Sequence, residues 1–408
     1  MSRIHFPPEI LNQIFQFLPS YDFQVVSFRG NHDYALLACS QVSRSWRAVA
    51  LPRVWSELVL PCTSAGERGL LRLANFLTDA ALDRRHNLAH FVRSIEILTE
   101  TVCEHETTLK EVTAPIVRII QLLRPGQLRT LTIDPPNPCP LICYDLIPIF
   151  DTLKSLMTNL TTFQISGIVD HGEEAIDLLN YLPVSLSSLT LRECYNLHTL
   201  PSQSPPTTLP LHHILALPRI CHLELSHLPS SIHPTHLICA LRTWSTSLRH
   251  LSLIACPSLH DDRVIYALAQ NCPNLVRLDV GHAFESPSLR HITDGAMCAL
   301  IDACPALETL SCANLRALSD VFLGYCARNG RMLRHLAVWN SPRIRGRGVT
   351  DVNGWSNLEV LEVFDPDGDM VGEFGEMDLD FGRAVLTECR KLFFCRIGYE
   401  GEVVLRSG

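Results

Sequence analysis

The sequence predicts an α/β solenoid preceded by a small helical domain, and three observations lead there. From residue 92 onward one apolar pattern recurs: an apolar residue, two others, an apolar residue, one other, an apolar residue. Between its copies lie stretches with helical spacing, such as 263–270 and 295–303. The first sixty residues carry helical periodicity instead.

The recurring pattern occupies Val92-Ile95-Ile97, Leu128-Leu131-Ile133, Leu160-Phe163-Ile165, Leu186-Leu189-Leu191, Ile220-Leu223-Leu225 and Leu248-Leu251-Leu253. It continues through Leu275-Leu278-Val280, Leu307-Leu310-Cys312, Leu333-Leu336-Val338, Leu358-Leu361-Val363 and Leu392-Cys395-Ile397. Eleven copies at intervals of 25 to 36 residues define a repeat array. The last two apolar residues of each copy stand two apart, so both face one side of a short strand. A strand and a helix per repeat, stacked in parallel, draw their stability from neighbouring repeats.

The helical start is equally readable. Pro7 and Pro8 suit a first turn, where a missing N–H costs nothing, and Glu9 complements the positive end of the helix dipole. Ile10, Leu11, Ile14, Phe15, Phe17 and Leu18 follow at helical spacing, and Pro19 ends the segment. A second apolar run holds Leu36, Leu37, Ala38 and Val42; a third places Trp46, Val49 and Ala50 on one face, with Val54 and Trp55 beyond. Three short helices are a thin core for some fifty residues, and such a unit gains stability when a partner covers part of its apolar surface.

Bulk properties narrow the function. The chain has 408 residues, more than one compact core accommodates. Hydrophobic residues at 47% and charged residues at 19% describe a folded chain. A net charge of −8 lacks the basic footprint of a dedicated nucleic-acid binder. No signal peptide and no membrane-spanning run is expected. The sixteen cysteines sit at repeat-like positions, as buried reduced thiols of the cytosol or nucleus do.

Sites for chemistry are scarce. Asp365-Pro-Asp367-Gly-Asp369 with Glu373 and Glu376 spaces carboxylates as a calcium loop does, but Met370 stands where that loop needs glycine. The run reads as an acidic insertion. Histidines at 198, 212, 213, 222, 227, 233 and 236 come without a metal-site spacing, and no phosphate loop or nucleophile elbow is present. Neither a catalytic residue, a metal nor a cofactor is expected.

The string Phe6-Pro-Pro-Glu-Ile-Leu…Ile14-Phe…Phe17-Leu18-Pro19, then Leu36-Leu37…Val42-Ser-Arg-Ser-Trp46…Ala50…Val54-Trp55, resembles an F-box. Two features depart from the family pattern: Phe6 replaces the usual leucine, and about ten extra residues separate the first two helices. Leu248–Leu259 and Leu186–Leu197, with Cys256 and Cys194, resemble the cysteine-containing class of leucine-rich repeat.

The resemblance implies a three-helix F-box over residues 1–58, a helical linker or cap over 59–90 and an irregular leucine-rich-repeat horseshoe over 91–408. It further implies a non-catalytic substrate receptor of a Skp–cullin–F-box ubiquitin ligase. The partners are then a Skp-type adaptor, a cullin and a protein target, with neither nucleic acid nor membrane. The alternative is a leucine-rich-repeat scaffold that regulates a partner without ubiquitin transfer. The adaptor would sit on Phe6, Pro7, Pro8, Ile10, Leu11, Ile14, Phe15, Leu18, Leu36, Leu37, Val42, Trp46 and Trp55. The target would sit on the strand face between the core positions, above all on His250, Arg277, His335, Trp339 and Phe364, a mix of aromatic and arginine anchors.

Overall fold

The computed structural model describes residues 10–11, 40–62, 67–82, 88–99, 106–134, 147–167, 178–193, 210–228, 233–281, 292–364, 378–398 and 402–405. The chain divides into two compact units, Met1–Ser185 and Leu186–Gly408.

In the first unit, helix α1 (Arg44–Val54) starts where the Ser43 hydroxyl accepts the Trp46 backbone N–H at 3.3 Å, a serine N-cap. Strand β1 (Glu57–Cys62) follows, then α2 (Glu67–Leu82), β2 (Ser94–Thr99), α3 (Glu106–Gln121), β3 (Thr130–Asp134), α4 (Ile147–Lys154) and β4 (Thr162–Ser166). β1 to β4 pair in parallel, in order, with Leu58, Ile95, Leu131 and Phe163 in one register row. Leu60, Ile97, Ile133 and Ile165 form the row two residues on, and both rows are buried. β1 is an additional strand, outside the eleven copies: Trp55, Leu58 and Leu60 have the same spacing, but they fall within the stretch read from the sequence as helical.

The second unit runs β5 (Ser188–Arg192), α5 (Pro210–Leu215), β6 (His222–Ser226), α6 (Pro234–Thr243), β7 (His250–Ile254) and α7 (Asp262–Asn271). Next come β8 (Arg277–Gly281), α8 (Asp294–Ala303), β9 (Thr309–Ala313), α9 (Asp320–Asn329) and β10 (His335–Trp339). β11 (Val360–Phe364), α10 (Leu379–Glu388), β12 (Phe394–Gly398) and β13 (Glu402–Leu405) complete it. Strands β5 to β12 pair in parallel and β13 closes the series antiparallel to β12. All eleven copies of the apolar pattern have become strands, and the expected α/β repeat is the observed one.

Burial follows the pattern. In β1 to β11 the second and fourth residues, such as Leu223 and Leu225 or Leu278 and Val280, point into the core, and in the second unit the preceding Ile220 or Leu275 joins them. The helices cover the same core with Leu237 and Leu241, Ile265 and Leu268, Met297 and Leu300, and Phe322 and Leu323. One aliphatic layer between strand and helix in each repeat leaves the other face of the strands open.

After six of the strands the turn repeats too. Gly167, Glu193, His227, Ala255, Asn314 and Asn340 each immediately follow a strand and hold positive φ, between 51° and 69°. Their N–H groups reach the next strand: Glu193 to the Ser226 carbonyl at 2.9 Å, His227 to Ile254 at 2.9 Å, Ala255 to Gly281 at 2.6 Å and Asn314 to Trp339 at 2.9 Å. A left-handed residue aims its amide along the ladder where an extended one would not, so the turn prolongs each strand pairing by one bond.

Among the described residues no helix is long and apolar enough to cross a membrane.

Candidate functional site

Two surfaces stand out. The first is on the N-terminal helices. Leu11 and Ala50 are fully buried against each other, and Trp46 and Val49 pack on them half-buried. The Arg47 side chain donates to the Ser40 carbonyl at 3.0 Å, tying α1 to the helical residues 40–42 before it. Apolar surface remains outside: Ile10 is 41% and Val42 63% exposed. An isoleucine and a valine facing water this way gain free energy when a partner covers them. Trp55, also expected on the adaptor side, stacks on Phe76 of α2 with ring centroids 5.8 Å apart. Phe6, Pro7, Pro8, Ile14, Phe15, Leu18, Leu36 and Leu37 lie outside the described residues.

The second surface is the open face of strands β5 to β12. The odd positions of each strand lie there in three rows. His222, His250, Arg277, Thr309 and His335 belong to the first row; Glu224, Ser252, Asp279, Ser311, Ala337 and Glu362 to the second; Arg192, Trp339 and Phe364 to the third. The structure therefore brings the five expected target residues onto one face but not into one cluster: His250, Arg277 and His335 share a row, Trp339 and Phe364 share another. Four residues of one unit, Arg192, Glu224, His222 and Asp279, add charge or hydrogen bonding to that face.

Its polar groups are organised. Arg192 grips Glu224 with two bonds, 2.6 and 3.0 Å. Arg277 Nε donates to Asp279 at 2.7 Å, and Trp339 Nε1 donates to Glu362 at 3.2 Å. The His222 and His250 rings meet at 3.7 Å between centroids, tilted by 55°. Burial, then the Arg277 charge, holds His222 below the ordinary imidazole range. His250 is lowered by burial first, then by His222 and Arg277, with Asp279 and Glu308 opposing. Both are neutral near neutral pH. Ala337 is buried although it lies on the open face. His335 Nε2, its neighbour in β10, is shielded from water without a hydrogen-bond partner.

Among the described residues no group of three histidine, cysteine or acidic side chains is placed to hold a metal. The acidic run 365–377 and His198 lie outside the described residues. The buried cysteines are structural: Cys304 Sγ donates to the Cys272 carbonyl at 3.3 Å and Cys256 Sγ to the Leu225 carbonyl at 3.3 Å, each reaching the preceding repeat.

A family model for F-box-like domains matches residues 5–61. Residues 5–61 are an F-box-like domain. No curated protein matches the chain. Among solved structures, the leucine-rich repeat-containing protein LegL7 from Legionella pneumophila is similar at 15% identity. That likeness covers 74% of this chain and 86% of that one with a TM-score of 0.33. A protein from Bacteroides fragilis is similar at 12% identity over 62% of this chain and 67% of that one, with a TM-score of 0.32. A structure of the yeast Rad7 and Elc1 complex is similar at 14% identity over 83% of this chain and 73% of that one, with a TM-score of 0.30. C-terminal to the F-box-like domain, the strand, the turn and the helix recur as the leucine-rich-repeat pattern of the sequence requires.

Proposed function

We propose that this chain is the substrate-recognition subunit of a Skp–cullin–F-box ubiquitin ligase. The observation that carries the reading is the F-box-like domain at residues 5–61, ahead of repeats whose strands leave one polar face open. The adaptor docks on Ile10, Val42 and the apolar residues around them, and the cullin joins through the adaptor. The open strand face of the second unit holds the target. The subunit does no bond chemistry itself; it raises the effective concentration of a target lysine beside the charged conjugating enzyme, so that degradation follows from proximity.

Val42→Glu in the full chain tests this. Val42 is 63% exposed, so the change leaves the fold intact, whereas a carboxylate in an apolar interface costs about 2 kcal/mol or more of binding. The expected result is that the unaltered chain co-purifies the adaptor and the cullin, and that the variant, with an unchanged circular dichroism spectrum, loses both. Adaptor without cullin on the unaltered chain would favour a scaffold that regulates its partner without ubiquitin transfer. Full retention of both by the variant would move the adaptor site elsewhere.

A further inference from the structure

The first row of the open face sets three side chains able to carry positive charge side by side. His222, His250 and Arg277 are direct partners in the parallel register of β6, β7 and β8, on strands about 4.8 Å apart. The two imidazoles lean on each other, and among the described residues neither makes a hydrogen bond. Arg277 is 53% exposed and engages Asp279 through Nε alone, which leaves its two terminal nitrogens open.

The acceptors of the same face are in the opposite condition. Glu224 is held bidentately by Arg192, Asp279 by Arg277, and Glu362 by the Trp339 indole. Glu308, at the edge of the row, lies within 3.8 Å of Arg334. What the face offers a partner is therefore N–H donors, and the charge felt by the histidine pair is that of Arg277, partly offset at His250 by Asp279 and Glu308.

We propose that the His222–His250–Arg277 row receives a carboxylate-rich peptide segment of the target, its aspartate or glutamate side chains accepting from the guanidinium and the imidazoles. This rests on the reading of the strand face as the target site and not on ubiquitin transfer. The guanidinium supplies a permanent charge-assisted bond. The imidazoles supply a conditional one: they are neutral in the unbound chain, and a carboxylate beside them favours their protonated form. Binding takes up protons, so affinity rises as pH falls through the bound-state pKa values, until the peptide carboxylates themselves protonate.

The test uses the full chain and a fluorescein-labelled peptide of aspartate, glutamate and glycine, followed by anisotropy. An asparagine–glutamine counterpart and a phosphoserine counterpart of equal charge serve as comparisons. The acidic peptide should bind about tenfold tighter at about pH 5.5 than at about pH 7.5. Arg277→Gln should weaken it about tenfold at both values. The His222→Gln, His250→Gln double variant, with an unchanged circular dichroism spectrum, should lose the pH response and bind at both values no tighter than the unaltered chain does at about pH 7.5. Absent binding, equal binding of the asparagine–glutamine peptide, or a pH response that survives in the double variant overturns the proposal. A phosphoserine peptide binding more than about tenfold tighter than the carboxylate one would replace it with a phosphate site. Failure of the chain to co-purify a cullin would overturn the ligase reading and leave these binding results standing.

Discussion

The Asp294 carboxylate holds Ser319 twice: it accepts the Ser319 backbone N–H at 2.8 Å and the Ser319 hydroxyl at 2.5 Å. Asp294 is in the first turn of α8, and Ser319 is the N-cap of α9 in the next repeat. The same joint occurs on either side. Asp262 of α7 accepts from the N–H and hydroxyl of Thr293, both at 2.8 Å. Asp320 of α9 gathers the N–H groups of Arg345, Gly346 and Arg347 at 2.7, 2.7 and 3.1 Å. One carboxylate thus answers the positive end of its own helix and positions the start of the following segment. Asp294→Ala should cost about 2 kcal/mol, in the range for hydrogen bonds to a charged group. Ser319→Ala should cost less, because the N–H bond survives. In a double-mutant cycle by urea unfolding the two losses should not add; strict additivity would mean that the pair does not couple the repeats.

The left-handed turn residues give an opposite expectation. Ala255 holds a φ of 53°, where a Cβ crowds the backbone and glycine does not. Ala255→Gly should therefore stabilise the second unit by about 1 kcal/mol, the strain relieved exceeding the added freedom of the unfolded chain. Gly281→Ala runs the other way: its new Cβ would lie 2.7 Å from the Ala313 Cβ and 3.0 Å from the Ala313 carbonyl oxygen. Forcing those strands apart should cost about 1–3 kcal/mol. Urea midpoints of the two variants must move in opposite directions.

How far the sequence spoke depended on the range of the interaction. The eleven strands were legible because two leucines two apart, facing a core, are a local fact; Leu251 and Leu253 declare it without knowledge of any other repeat. The turn was legible only where asparagine or glycine stands, as at Asn314, Asn340 and Gly167; Glu193, His227 and Ala255 adopt it because the neighbouring strand demands it. The aspartate joints were missed because each links residues 25 to 31 apart. Their trace is a capping residue followed by aspartate in three successive repeats, Asp261-Asp262, Thr293-Asp294 and Ser319-Asp320. On the candidate site, the five residues chosen by strand position lie on one face, but which of them adjoin is set by repeat order. In the sequence His222 stands out only as one of several histidines without metal-site spacing; its contact with His250 comes from the pairing of β6 with β7.

The buried cysteines should be chemically silent. Burial pushes the Cys256, Cys272, Cys304 and Cys326 thiols up to about 12. At about pH 8 only about one in ten thousand of each is thiolate, the reactive form. Cys239, in α6, is exposed. Iodoacetamide on the native chain should label Cys239 and spare these four, as read by peptide mass spectrometry, and denaturant should make them reactive. Labelling of Cys272 at the rate of Cys239 in the folded chain would contradict its packing between repeats.

His260 should make the second unit sensitive to acid. It is fully buried, its Nε2 lies 2.9 Å from the Leu253 carbonyl, and burial lowers its pKa from 6.5 to about 4 although that hydrogen bond opposes the shift. With Nε2–H donating to the carbonyl, Nδ1 carries no proton in the neutral ring. The folded state therefore binds fewer protons than the unfolded state between the two values. Stability is full above about pH 6.5, falls as the pH drops, and has lost the whole contribution below about pH 4, an effect of about 3 kcal/mol at most. Other groups titrate in the same window, so the variant supplies the reference. His260→Gln can keep a donor to Leu253 and has no proton to take up. The stability difference between the two chains, from urea unfolding followed by circular dichroism, should be flat above about pH 6.5 and move against the unaltered chain by up to about 3 kcal/mol on the way to about pH 4. Parallel curves across that window would mean that His260 becomes protonated without penalty, and so that water reaches a ring packed here beneath the strand.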